Sequence, residues 1–342
     1  GLNSSVKVLH IDNCRLRTDG GSIFQDNSGG GTVARMQIEN SILLFNGQCW
    51  TTNVTVNHFQ TSNTYYVVTT GFSSNFIFNC DAVQNFQMTN CFVDGGGAAH
   101  SDLLGCNNDN HSKVLIDNCI FEHTRQIAFS STTGDLTISN CHFHHAEINI
   151  VNAQAVSITD NILDTDLFSA GKDTARYQAG VGVVISLEFS GNTVFQRYSN
   201  PADPSSNPPI LESRSTFSSR GVFQNNQFLG GNGIRINFQS VTFTGNTVIG
   251  EIGGTRYCTR FLLETVQANQ VVTDTIISNN NLSVGEGGIL IDASPAVNLQ
   301  ICNNEINKIF YGGRVVTPGF TGTGAIKVWG NISGPTASAT SN

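Results

Sequence analysis

The sequence predicts an all-β protein that winds as a right-handed parallel β-helix, a solenoid of about a dozen coils. Three observations support this prediction. A short pattern recurs along most of the chain, its apolar residues alternate with the period of a strand, and the composition joins abundant glycine to few charged residues. Because one repeat cannot bury its own apolar face, the repeats are expected to stack.

The recurring pattern is eight residues long and reads apolar, any, apolar, any, Asn, Cys or Asn, any, apolar. Its copies are LHIDNCRL at 9–16, MQIENSIL at 36–43, FQMTNCFV at 86–93, VLIDNCIF at 114–121, LTISNCHF at 136–143, VSITDNIL at 156–163, LEFSGNTV at 187–194, GVFQNNQF at 221–228, VTFTGNTV at 241–248, TIISNNNL at 275–282 and LQICNNEI at 299–306. The wide gap between the copies at 36 and 86 is expected to hide one degraded coil, which gives a mean repeat of about 26 residues.

Two central positions of the pattern predict how the strands connect. The fifth position is Asn in most copies, twice Gly and once Asp, which suits a bend that needs a positive φ angle. The sixth position is expected to form an internal column in which stacked amides make a hydrogen-bonded ladder and cysteines pack without such bonds. This column runs through Cys14, Ser41, Cys91, Cys119, Cys141, Asn161, Asn192, Asn226, Asn246, Asn280 and Asn304. Both positions are therefore interpreted as structural.

The amino-acid composition limits the classes of binding partner that we expect for the protein. The net charge is −8 and Lys plus Arg total 17, which argues against nucleic acid or an anionic membrane as the main partner. Neither an apolar run of membrane-spanning length nor a signal peptide is expected. The nine cysteines form no C-x-x-C motif, so we expect reduced thiols, synthesis in a reducing cytoplasm, and no metal or cofactor.

The domain organisation follows the repeat. Residues 1–310 are predicted to form the β-helix, and residues 311–342 short strands followed by a flexible tail. Three long insertions, at 44–85, 164–186 and 195–220, are expected to project from the coils and to wall a groove.

Candidate catalytic residues follow the pattern on consecutive coils. The residue after each copy is Asp94, Glu122, His144 and then Asp164, and Glu147 follows nearby. Stacked coils would place carboxylates about 5 Å apart on adjacent rungs and about 10 Å apart on alternate rungs. Such spacings suit the carboxylate pair that cleaves a glycosidic bond. Asp94, Glu122, Glu147 and Asp164 are therefore the catalytic candidates, although polar residues must cover the outside of any coil.

The candidate binding residues are polar or aromatic side chains that suit sugars. Four of them, His123, Arg125, His144 and His145, flank the acidic column. Lys172, Arg176 and Tyr177 lie in the second insertion. Trp50 and Tyr66 lie in the first, together with Tyr65, where they could provide aromatic platforms.

The segments ISNCHF, FTGNTV and ISNNNL resemble the repeats of the pectate-lyase-like superfamily of β-helices over roughly residues 6–310, and most resemble the shafts of bacteriophage tailspikes. The resemblance implies a homotrimer at the virion tail, outside the cell after synthesis in the bacterial cytoplasm, in contact with other virion proteins. It also implies an endoglycosidase that binds and hydrolyses bacterial surface polysaccharide, either O-antigen or capsule.

Two other functions stay open. A polysaccharide lyase would use a base and cationic residues drawn from His123, Arg125, Lys172 and Arg176, although scarce Lys and Arg count against a long polyuronate substrate. A non-catalytic fibre that binds glycan would need grooves and aromatic residues, but no reactive acid.

Overall fold

The computed structural model of the chain describes most of the repeat region and parts of the connections between repeats. The described residues are 6–19, 23–26, 31–52, 55–69, 76–80, 82–96, 102–106, 111–124, 126–129, 132–144, 147–150, 153–165, 176–177, 185–196, 211–214, 220–230, 234–249, 261–264, 272–283, 289–292, 296–307, 326–329, 332–333 and 338–339. These residues contain strands and bends and no helix.

The fold is a right-handed parallel β-helix of about a dozen coils, which confirms the fold predicted from the repeat. The chain divides into two compact units, Gly1–Ile162 and Leu163–Asn342. In each unit the strands of successive coils pair in parallel and build three sheets. Strands are numbered in chain order below.

In the first unit, each sheet takes one strand from each coil. The first sheet holds β1 (Val6–Asp12), β4 (Thr32–Glu39), β7 (Thr55–Ser62), β10 (Ala82–Thr89), β13 (His111–Asp117), β16 (Thr132–Ser139) and β19 (Ala155–Thr159). The second holds β2 (Arg15–Arg17), β5 (Ile42–Phe45), β8 (Tyr65–Val68), β11 (Phe92–Asp94), β14 (Ile120–Glu122) and β17 (His142–His144). The third holds β3 (Phe24–Asp26), β6 (Trp50–Thr52), β9 (Phe76–Cys80), β12 (Asp102–Cys106), β15 (Gln126–Phe129) and β18 (Glu147–Ile150).

The second unit follows the same plan, and β20 (Ile162–Thr165) spans the boundary between the units. Its first sheet holds β22 (Ser186–Ser190), β25 (Arg220–Gln224), β28 (Ser240–Thr244), β31 (Val272–Ser278), β34 (Ala296–Cys302), β37 (Ile332–Ser333) and β38 (Ser338–Ala339). Its second sheet holds β23 (Thr193–Gln196), β26 (Gln227–Gly230), β29 (Thr247–Ile249), β32 (Asn281–Ser283) and β35 (Glu305–Asn307). Its third sheet holds β21 (Arg176–Tyr177), β24 (Leu211–Arg214), β27 (Ile234–Asn237), β30 (Phe261–Glu264), β33 (Ile289–Asp292) and β36 (Ile326–Trp329).

The bend between the first and second strands of a coil has the backbone predicted from the fifth pattern position. Every such bend in the described coils carries one residue with positive φ, which Asn, Asp and Gly tolerate better than other residues. These residues are Asn13, Asn40, Asn63, Asn90, Asn118, Asn140, Asp160, Gly191, Asn225, Gly245, Asn279 and Asn303. Because the bend is always two residues long, the register of the strands on either side repeats from coil to coil.

The expected degraded coil is FQTSNTYY at 59–66, formed by β7, the bend at Asn63 and β8. Its third position is Thr61 and its sixth is Thr64, both fully buried, in place of the usual apolar residue and the usual Cys or Asn. The prediction of one long insertion at 44–85 was therefore wrong, because most of that segment is a regular coil with strands in all three sheets.

Aromatic side chains stack along the interior of each unit. Phe121 and Phe143 lie on adjacent coils with ring centroids 5.0 Å apart and nearly parallel planes. In the second unit, Phe223 and Phe243 lie 6.3 Å apart and are fully buried. These Phe side chains come from the pattern's apolar positions, which confirms that they belong to the core.

The sixth pattern position forms the internal column that the sequence predicts. In the second unit, the amide ladder is continuous: the side-chain Nδ2 of Asn226 donates to Oδ1 of Asn246 at 2.9 Å, and Nδ2 of Asn246 donates to Oδ1 of Asn280 at 3.1 Å. The backbone amides of Asn226 and Asn246 donate to the same two oxygens. Each buried amide thus satisfies polar groups of its neighbouring coil.

The cysteines of this column also make hydrogen bonds, so the prediction that they pack without bonding was wrong. The Sγ atoms of Cys91, Cys119 and Cys141 each donate to the carbonyl two residues earlier, at 3.3, 3.2 and 3.0 Å. The amide of Cys119 donates to Sγ of Cys141 at 3.4 Å. The thiols of this column therefore also hydrogen-bond to backbone groups, as the Asn side chains do.

Candidate functional site

The outer face of the second sheet in the first unit carries the predicted acidic column. Asp94 at the end of β11 is aligned with Glu122 at the end of β14, and Glu122 is aligned with His144 at the end of β17. Val93 and Phe121, the residues just before Asp94 and Glu122, are fully buried and face inward. Because side chains alternate along a strand, the three polar side chains face outward. All three are half-buried.

Asp94 is held in place by two contacts. Its Oδ1 accepts a hydrogen bond from the amide of Gly96 at 2.9 Å and lies 3.3 Å from Nδ1 of His123 on the next coil. Gly96 has φ +68, and a Cβ atom there would lie 2.8 Å from the carbonyl oxygen of Val68. Only glycine therefore fits this turn, and it fixes the orientation of the carboxylate.

His123 occupies a backbone conformation that is rare for its residue type. Its φ is +50, and its amide donates to the carbonyl of His144 on the following coil at 3.1 Å. A left-handed conformation costs a residue with a Cβ atom about 1–2 kcal/mol. Such strain is often found at functional sites, and here it turns the imidazole towards Asp94.

Two further histidines lie beside this pair. The ring of His144 lies 6.4 Å from that of His123 and 6.0 Å from that of His142, measured between centroids. His142 and His144 share the outer face while Phe143 between them is fully buried, as alternation predicts. Among the described residues, no group of three or more His, Cys, Asp or Glu side chains could hold a metal ion.

Tyr66 is not a surface platform, and its assignment as a sugar-binding residue was wrong. Its side chain is fully buried, and its hydroxyl lies 2.6 Å from that of Thr61 inside the coil. Burial raises the pKa of its phenol well above the ordinary value. The error follows from the missed coil, because Tyr66 fills the last apolar position of the degraded pattern.

Most of the remaining candidates have side chains outside the described part of the chain. Glu147 and Trp50 lie in β18 and β6 of the third sheet, and Arg176 and Tyr177 form β21 of the second unit; their side chains are outside the described part. Arg125, His145 and Lys172 also lie outside the described residues. Asp164 lies in β20, whose first residue, Ile162, donates its amide to the carbonyl of Cys141 just before β17, and the place of Asp164 in the column stays a prediction.

The structure pairs Tyr65, one of the aromatic candidates in the segment 44–85, with Phe92, which the sequence analysis did not assign to the site. Tyr65 and Phe92 are aligned on β8 and β11, their ring centroids lie 5.8 Å apart, and Tyr65 is 54% exposed. Both occupy the seventh pattern position, one residue before the core position and two before the acidic column. That position could have identified Phe92, and recognition of the degraded coil would have separated the exposed Tyr65 from the buried Tyr66.

The buried thiols of Cys49 and Cys119 are poor candidates for nucleophilic chemistry. Cys49, Cys91, Cys119 and Cys141 are free and buried. Burial raises the pKa of Cys49, and a hydrogen bond with Cys141, together with burial, raises that of Cys119. A raised pKa keeps a thiol protonated at neutral pH, and the protonated form is a poor nucleophile.

Comparisons of the chain with protein-family models, with curated proteins and with solved structures found no match. Within the described residues, no helix is long and apolar enough to cross a membrane. The function is therefore argued from the geometry of the site.

Proposed function

We propose that the protein is an endoglycosidase that binds and hydrolyses bacterial surface polysaccharide with Asp94 and Glu122. The observation that carries this proposal is the alignment of the two carboxylates on adjacent, paired strands. Paired parallel strands lie about 4.8 Å apart, close to the 5–5.5 Å that separates the two carboxyl groups in retaining glycosidases. The spacing between neighbouring coils therefore suits the separation that a retaining carboxylate pair requires.

The contacts of the two acids favour different roles for them. Asp94 is oriented by Gly96 and His123, which suits the nucleophile that attacks the anomeric carbon. Glu122, half-buried on the next coil, would donate its proton to the leaving glycosidic oxygen. Water activated by Glu122 would then hydrolyse the glycosyl ester and restore both carboxyl groups. His123 would act as a positioning residue for Asp94.

The contact between His123 and Asp94 favours one second candidate, a polysaccharide lyase. An imidazole oriented by a carboxylate is a common general base. In a lyase, His123 would remove the proton next to a uronate carboxylate, and elimination would leave a double bond in the product. The described residues beside His123 include no Lys or Arg that would neutralise such a carboxylate, and Arg125, the nearest cation in the sequence, lies outside the described part.

Two measurements test the reaction on purified bacterial capsular and O-antigen polysaccharides. New reducing ends are expected with the wild-type protein, without the ultraviolet absorbance of a conjugated double bond. Glu122→Gln should abolish the reducing ends, while Glu188→Gln, an exposed acid of the second unit, should not change them. Absorbance from unsaturated ends would support the lyase. Binding without any cleavage would indicate a glycan-binding fibre.

The resemblance to tailspike shafts supports a further proposal about assembly. We propose that the chain forms a homotrimer at the virion tail, in contact with other virion proteins. Sedimentation equilibrium of the purified protein gives the subunit number directly, and a monomer or dimer would contradict the trimer.

A further inference from the structure

An exposed apolar stripe runs along the outer face of the second sheet in the first unit. It consists of Ile42, Tyr65, Phe92 and Ile120, which are aligned on four consecutive coils. Ile42, Tyr65 and Ile120 are 40%, 54% and 43% exposed, and Phe92 is half-buried. A contiguous apolar surface of this kind on a polar protein commonly marks a binding site.

The stripe is a specific feature of this part of the chain and not a property of the repeat. In the second unit, the same pattern position holds only polar residues: Thr193, Gln227, Thr247, Asn281 and Glu305. The strands there have the same geometry, so the fold alone does not require apolar side chains at this position. A requirement other than folding therefore accounts for the stripe.

The stripe adjoins the acidic column on the same face. Phe92 and Ile120 are each two residues before Asp94 and Glu122 on the same strands, so their side chains share one face of the sheet. Tyr65 and Phe92, tilted against one another, extend this surface by one coil towards the N-terminus. The C–H face of a pyranose ring packs well on such aromatic surfaces, while its hydroxyls can reach the neighbouring carboxylates.

The charged residues on this face favour neutral glycans over negatively charged ones. On the two outward columns of this sheet in the first unit, the described arginines are Arg15 and Arg17 on β2, the acids are Asp94 and Glu122 on β11 and β14, and His142 and His144 follow on β17. The first and fourth coils are separated by about 14 Å, more than a Debye length at physiological ionic strength. A uronate facing Asp94 and Glu122 would therefore meet two carboxylates, whereas Arg15 and Arg17 lie at the other end of the stripe, where Arg15 is aligned with Ile42.

We infer that this face binds an uncharged glycan, with one sugar ring packed on Tyr65 and Phe92 and the next one facing Asp94 and Glu122. The inference rests on the proposed function and adds to it the substrate class and the aromatic subsite. The glycan would thus run across successive coils, from β8 over β11 to β14.

The test measures binding separately from cleavage. Immobilised bacterial polysaccharides, half of them neutral and half containing uronates, are probed with the Glu122→Gln variant, in which any bound glycan stays intact. We expect retention on neutral polysaccharides, and about a tenfold loss when Tyr65→Ala is added. Tyr65→Phe should keep the affinity because the ring remains. Val8→Ala, which removes a 56% exposed side chain from the first sheet, is the matched control.

Four results would overturn the inference: no binding to any neutral polysaccharide, binding to uronate polymers alone, unchanged binding by Tyr65→Ala, or a change of subunit number on Tyr65→Ala in sedimentation. The last result would show that a second copy of the chain covers the stripe. Circular dichroism establishes that each variant is folded. Failure of the proposed function looks different, because neutral glycan would still bind through Tyr65 while the wild-type protein released no reducing ends.

Discussion

Nδ1 of His123 lies 3.3 Å from Oδ1 of Asp94, although the two residues are 29 positions apart in the chain. The contact joins the last residue of one strand to the first residue after the neighbouring strand. It forms because His123 takes a positive φ and because Gly96 donates to the same carboxylate oxygen. The contact between His123 and Asp94 thus depends on the backbone of two neighbouring coils.

His123→Asn is expected to separate the chemical role of this histidine from its backbone role. Asn tolerates a positive φ, so the free energy of unfolding should stay within about 1 kcal/mol of the wild-type value. Turnover of polysaccharide should fall by about a hundredfold. His142→Asn, a half-buried histidine of the same face, is the control. Full activity of His123→Asn would remove the pair from the mechanism.

Asn246→Ala is expected to destabilise the protein by about 3 kcal/mol, because it leaves several buried polar groups of neighbouring coils without a partner. Asn246 accepts from the amide and the side chain of Asn226, and it donates to Asn280 and to the carbonyl of Phe223. Denaturant unfolding measures the change. Gln227→Ala, an exposed side chain next to the column, should shift stability by less than about 0.5 kcal/mol. Equal effects of the two variants would contradict the ladder.

Substitutions of Asn279 test the positive-φ bend between β31 and β32. Its φ is +57 and its side chain is exposed. Asn279→Gly should be nearly neutral, whereas Asn279→Val should cost about 1–2 kcal/mol or more because a β-branched side chain is disfavoured in the left-handed region. Thermal unfolding of both variants makes the comparison, and a Val variant as stable as the Gly variant would rule out the assigned backbone.

The hydroxyl pair of Thr61 and Tyr66 tests the buried position of the degraded coil. Tyr66→Phe leaves the Thr61 hydroxyl without this partner and should cost about 1–2 kcal/mol. The double variant Thr61→Val with Tyr66→Phe removes both polar groups and should recover most of the loss. Glycan binding by Tyr66→Phe should equal that of the wild-type protein; a loss of binding would return Tyr66 to the site.

The buried thiols predict a loss of stability in alkali. The pKa values of Cys49 and Cys119 in the folded protein are raised above the ordinary value of 9.0. The unfolded chain therefore releases these protons at a lower pH than the folded protein does. The free energy of unfolding should be constant with respect to these groups below pH 9 and should fall as the pH rises beyond it.

Alkylation by iodoacetamide at pH 8 checks the same groups. Cys49, Cys91 and Cys119 should react orders of magnitude more slowly in the folded protein than after unfolding. Cys14 and Cys302, which are only half-buried, serve as internal controls and should react first. Rapid labelling of Cys49 in the folded protein would contradict its burial.

The amino-acid sequence by itself determined the architecture of a single coil and the stacking of the coils. Strand alternation, the positive-φ bend and the column at the sixth position are local properties that each repeat carries in its own residues, and stacking is the only way for such repeats to bury their apolar faces. Since the bend has constant length, the alignment of Asp94 with Glu122 also follows from counting residues.

Only the tertiary structure decided which side chains actually meet. The coil at 59–66 has threonines in place of one apolar residue and of the usual Cys or Asn, and both are hydrogen-bonded inside the coil, so its pattern is weak until neighbouring coils pair with it. That pairing buries Tyr66 and exposes Tyr65. The chain after the second strand varies in length from coil to coil, so the contact of His123 with Asp94 depends on backbone conformation and on Gly96, which no periodicity encodes.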